Sequence, residues 1–179
     1  LIPIPTQGED LTEVLLAIAK RELAARRVAD PPTVEGRRSP AGPQLYRQVV
    51  DSVLLIYTKD GTMGSGVVVS PDGHVLTNWH VVGKNDVVGA IRRSQELMKG
   101  VSQIKKEHVL TAKVVATDPR RDLALLHIPK SAAGLRHVSL GEAGRVEVGQ
   151  DVYAIGHPKQ LLWTYTEGVV SQIRPDFEW

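Results

Sequence analysis

The sequence predicts an all-β domain, an antiparallel barrel or sandwich, preceded by a single helix. Three observations carry this expectation. From residue 45 onward short, valine-rich runs recur at 49–58, 65–70, 74–77, 110–117, 123–128, 152–155 and 164–173. Turn chemistry separates them, at Lys59-Asp60-Gly61, Ser70-Pro71-Asp72-Gly73 and Gly141–Gly144. Many short strands at such spacing favour antiparallel pairing over a parallel sheet with crossover helices. Upstream, Leu11, Val14, Leu15 and Ile18 follow a helical stripe, Asp10 and Glu13 form its capping signal, and Asp30-Pro31-Pro32 ends it.

Two parts follow from this texture. Residues 1–44 read as the helix, at about 10–29, and a linker rich in proline from Pro31 to Pro43; residues 45–179 read as the β domain. Arg26, Arg27, Arg37 and Arg38 could form a membrane-surface or partner-binding arm, or an oligomerising helix, but a solvated helix face is the simpler reading. Within the β domain, Pro71-Asp72-Gly73 is a hairpin turn in which proline fixes φ and glycine supplies a positive φ. The stretch Ile91–His108 reads as a charged insertion with a short helix near Gln95–Lys99.

Composition narrows the function classes. The 179 residues carry 22 Lys+Arg against 20 Asp+Glu, a net charge of +2, which gives no case for a nucleic-acid partner. Cysteine is absent, so disulfides and thiolate metal sites are excluded. No apolar run approaches the roughly 20 residues of a membrane helix. The six histidines show no H-E-x-x-H, and Gly64-Ser65-Gly66 leads into no phosphate-binding G-x-x-x-x-G-K, so neither a metal nor a cofactor is expected. Ser65 is no nucleophile elbow, because Met63 stands where G-x-S-x-G requires glycine. Leu1 in place of Met reads as the start of a processed or excised piece.

The segment from Gly64 to Val82, GSGVVVSPDGHVLTNWHVV, resembles the first-barrel signature of trypsin-type serine proteases, especially the bacterial HtrA-like branch. Asp118–Leu126, DPRRDLALL, and Val148–Pro158, followed by Thr166–Ser171, resemble later segments of the same family in the same order. The resemblance covers roughly residues 45–174. It implies a trypsin-like double β-barrel, with a six-stranded first barrel over about 45–129 and a second barrel incomplete in this chain. It implies a serine endopeptidase acting on protein or peptide substrates outside the cytoplasm, exported to the periplasm, cell envelope or medium. It assigns His80 as general base and Asp122 as the carboxylate that orients it. The two lie 42 residues apart, so only the fold can bring them together. Asp118 competes with Asp122, but it precedes Pro119 and reads as a turn former, whereas Asp122 leads directly into an apolar strand. His74, His108, His127, His137 and His157 read as structural.

The family's nucleophile sits in G-N-S-G-G-P or a close variant. None of the nine serines here is followed by Gly-Gly, and the sequence ends at Phe177-Glu178-Trp179. The expectation is therefore that the serine and the oxyanion-hole amides lie in a missing segment. A separate fragment or chain completing the second barrel is one candidate partner, and a second copy of the chain is another. The competing class is a non-catalytic protease-like binding or scaffold module that lacks the serine; the retention of both His80 and Asp122 favours the enzyme.

Overall fold

The computed structural model describes residues 42–94, 105–129, 134–158 and 161–174, together with Ala17. The expected helix at about 10–29, apart from Ala17, and the short helix near Gln95–Lys99 lie outside the described residues.

Six strands close into a barrel: β1 (Val53–Tyr57), β2 (Met63–Val68), β3 (His74–Thr77), β4 (Val87–Ile91), β5 (Val109–Asp118) and β6 (Leu123–His127). Their order around the barrel is β1-β2-β3-β6-β5-β4, with β4 pairing back to β1, and every pair is antiparallel. Closure leaves no edge strand in this unit. The expected run at 74–77 matches β3 end to end, and Gly73 takes the expected positive φ of +88° in the preceding turn. A side chain there would also meet the Ile128 carbonyl oxygen at 2.2 Å.

β1 shows why the core has two compartments. All five of its residues are buried. Successive side chains point to opposite faces, so Leu54 and Ile56 enter the barrel interior with Val68, Val75, Val82, Val88 and Leu126. Val53, Leu55 and Tyr57 face outward into a second cluster with Val50, Ile91, Val109 and Trp163. A continuous apolar run is what a strand covered on both faces needs.

That outer cluster is covered by two elements. α1 (Gly42–Val49) starts inside the stretch read as linker and occupies the beginning of the run read as strand. Pro43 lies in its first turn, where the missing amide is harmless and the fixed φ is already helical. Proline thus opens a helix here instead of breaking one. The other cover is a hairpin of β7 (Asp151–Gly156) and β8 (Thr164–Val169), paired from Asp151↔Val169 to Gly156↔Thr164. It is a separate two-stranded sheet, with Val152 and Val169 both exposed.

The loop between these strands is pinned by Trp163. Its side chain is buried, its indole N–H donates to the Val53 carbonyl at 2.8 Å, and its own carbonyl accepts from the Tyr46 hydroxyl at 3.1 Å. Trp163 holds a φ of +48°, a left-handed conformation rare for so bulky a residue.

Candidate active site

The β3–β6 register, which ends at Thr77↔Ala124, brings the residues just after β3 and just before β6 to one end of the barrel. After β3, Asn78 remains extended and the chain enters a single helical turn, α2 (Trp79–Val82), whose second residue is His80. Before β6, a tight turn follows β5: the Arg121 amide and guanidinium donate to the two carboxylate oxygens of Asp118, at 3.1 and 2.8 Å. Asp118 is thus occupied in its own turn. Asp122 emerges from it with a φ of +54°, a conformation in which the short Asx side chains are at least tolerated.

The two residues assigned by sequence meet here. His80 Nδ1 lies 2.6 Å from Asp122 Oδ2, and the His80 backbone N–H donates to Asp122 Oδ1 at 2.8 Å. Asn78 adds a third donor, its Nδ2 reaching Oδ2 at 3.2 Å and the Asp122 carbonyl at 3.1 Å. Opposite a carboxylate, Nδ1 must carry the ring proton, which leaves the lone pair on Nε2. The bonds from the His80 amide and then its ring hold the Asp122 carboxyl below its usual range. His80 remains two-thirds exposed, its side chain 66% accessible. An oriented imidazole with a free Nε2, backed by an ionised carboxylate, can accept a proton from a hydroxyl or water that approaches from solvent.

A cavity of about 500 Å³ opens beside His80, between the barrel and the β7–β8 hairpin. Gly64, Ser65, Asn78, Gly156, His157 and Pro158 help line it. Gly64 sets how closely α2 packs, since a Cβ there would stand 2.4 Å from Val81 Cγ2 and 2.8 Å from Cγ1. Gly64→Ala is therefore expected to push α2 away from β2, lowering stability by about 1–3 kcal/mol. A shifted urea midpoint with an unchanged slope is the measure of it.

Sequence reasoning missed Asn78 as a third tether, although it lies only two residues before His80. It also missed that Ser65 and His157 meet across the cavity. Among the described residues no cluster of three or more His, Cys, Asp or Glu could hold a metal ion, and no helix is long and apolar enough to cross a membrane.

Residues 64–179 match the profile of the trypsin-like peptidase domain family. A probable periplasmic serine endoprotease, DegP-like, from Marinomonas sp. (strain MWYL1) is 42% identical over 110 residues, 62% of this chain and 20% of the relative. The chain thus spans about a fifth of the length of such curated relatives. Among solved structures, the serine endoprotease from Yersinia pestis superposes with a TM-score of 0.61 at 28% identity, covering 77% of this chain and 46% of that one. The HtrA-type protease AlgW with tripeptide superposes at 0.62 and 27% identity, covering 74% and 40%. The chain belongs to the trypsin-like peptidase domain family and is similar to serine endoproteases of the DegP and HtrA type.

Proposed function

We propose that this chain supplies the general base, His80, and its orienting carboxylate, Asp122, to a serine endopeptidase that hydrolyses peptide bonds in protein or peptide substrates. The observation that carries the proposal is the 2.6 Å contact between His80 Nδ1 and Asp122 Oδ2, with a second bond from the His80 amide. In the reaction, Nε2 takes the proton of a serine hydroxyl as the oxygen attacks the scissile carbonyl. It then returns that proton to the leaving amine, while Asp122 stabilises the imidazolium formed between the two steps. No serine here is followed by Gly-Gly, so in this proposal the nucleophile comes from outside these 179 residues. The relatives named periplasmic support an exported location.

A fluorophosphonate probe and a casein digest test the proposal. The 179-residue chain is expected to do neither reaction, since a base without its nucleophile opens no acyl-enzyme route. The chain extended through the family's serine motif is expected to do both, and His80→Ala in that protein to abolish them. Labelling of the 179-residue chain would place the nucleophile among its own nine serines. An extended protein that stays unlabelled would overturn the endopeptidase reading in favour of a protease-like scaffold.

A further inference from the structure

Ser65, in β2, and His157, the residue after β7, lie 92 residues apart and meet at the cavity wall beside His80. The His157 backbone N–H donates to Ser65 Oγ at 2.9 Å, and the same oxygen lies 3.1 Å from His157 Nδ1. A serine hydroxyl has one proton and two lone pairs. With one lone pair taken by the amide, the hydroxyl can either give its proton to Nδ1 or accept from Nδ1–H with its second lone pair, so either neutral tautomer of His157 closes the contact. Nε2 is buried without a hydrogen-bond partner among the described residues, and the ring stands edge-on to Trp163, 4.8 Å between centroids at 75°. Gly156 permits the approach, because a Cβ there would lie 2.9 Å from Ser65 Oγ. The half-buried Ser65 hydroxyl is thus engaged by His157 from two sides.

We propose that Ser65 and His157 are a positioning pair that locks the β7–β8 hairpin onto β2, fixing the wall across which a peptide substrate meets His80. The inference rests on the endopeptidase reading for its consequence in catalysis, but the lock itself stands on geometry. Protonation of the ring works against the lock, because it would put a charge and an unpartnered Nε2–H in a buried place. Burial lowers the His157 pKa from 6.5 to about 4, so the ring is neutral near pH 7 and gains its proton only in acid. Its side chain touches Ser65 of β2 and Trp163, both uncharged, and the other titratable side chain lining this cavity is His80, which faces Asp122.

Amide hydrogen exchange of the 179-residue chain tests the lock without any proteolysis. Ser65→Ala should lower the protection factors of the β7–β8 hairpin at least about tenfold, since it removes both hydrogen bonds of Ser65 Oγ, and leave those of the barrel strands unchanged. In the wild type, hairpin protection should fall as the pH drops from 6.5 toward 4. His157→Asn, whose side-chain carbonyl can still accept from Ser65 but which cannot be protonated in this range, should retain most of the protection at pH 7 and lose the acid sensitivity. Hairpin protection unaltered in Ser65→Ala would overturn the lock, as would an acid response that survives in His157→Asn. In the protein extended through the serine motif, Ser65→Ala should lower kcat for a peptide substrate about tenfold, with His157→Asn nearer to wild type. Unchanged kcat in Ser65→Ala despite lost hairpin protection overturns the positioning role, whereas a wild type without activity overturns the endopeptidase reading and leaves the exchange result to decide the lock.

Discussion

Asp122→Asn, made in the extended protease, is expected to lower kcat about ten-thousandfold while leaving the fold in place. The backbone reason is that position 122 holds a φ of +54°, which asparagine adopts as readily as aspartate. The chemical reason is a mismatch of donors. Oδ1 accepts the His80 amide, and Oδ2 accepts both the His80 ring and the Asn78 amide. An asparagine can offer only one oxygen. If that oxygen stays with the His80 amide, the new NH₂ faces Nδ1 and selects the wrong tautomer, with the proton on Nε2. The imidazole is then turned correctly and has no lone pair for the serine. A thermal midpoint near wild type, together with a kcat that recovers at alkaline pH, would fit this account. A kcat within tenfold of wild type at neutral pH would show that the Asp122 carboxylate does not set the tautomer.

The pairing of His80 with Asp122 was legible because two short motifs each mark the end of a strand, and a barrel brings strand ends together. The separation of 42 residues held no such information by itself. Asp118 was separable from Asp122 for a local reason, since a turn that runs through proline gives its first carboxylate to the turn's own amides. Features were missed where a residue served a distant neighbour. β4 (Val87–Ile91) lies between Asn85-Asp86 and Arg92-Arg93 and contains Gly89, so it lacks a strand's texture. Gly89 is there because the Tyr57 ring fills its side-chain space, with Cζ 2.3 Å from where a Cβ would stand. The contacts of Ser65 with His157 and of Trp163 with Val53 span 92 and 110 residues. They depend on how two sheets dock, which periodicity within a segment cannot reveal.

Trp163→Ala is expected to destabilise the chain by about 3–5 kcal/mol, the loss typical of deleting a buried aromatic side chain. The indole sits at 3% exposure in the outer cluster, between β1 of the barrel and the loop of the β7–β8 hairpin. Its removal opens a cavity lined by Val50, Val53 and Leu55, deletes the bond to the Val53 carbonyl, and takes away the face against which His157 packs. One effect opposes this: a φ of +48° strains a bulky residue, and alanine relieves only part of that strain. Trp163→Phe separates the terms, because it keeps much of the ring but not the N–H; a loss of about 1–3 kcal/mol is expected from the unpaired carbonyl and the smaller volume. The location of the damage matters as much as its size. The barrel closes on itself through β4 and β1, so it should keep its cooperative unfolding, while the hairpin, held largely from outside by Trp163, Tyr46 and Ser65, should open first. Urea unfolding followed by hydrogen exchange at single amides would show hairpin amides exchanging at low denaturant and barrel amides only in the global transition. Uniform loss of protection across both sheets would mean that hairpin and barrel form one cooperative unit, with Trp163 part of a shared core instead of a pin between two.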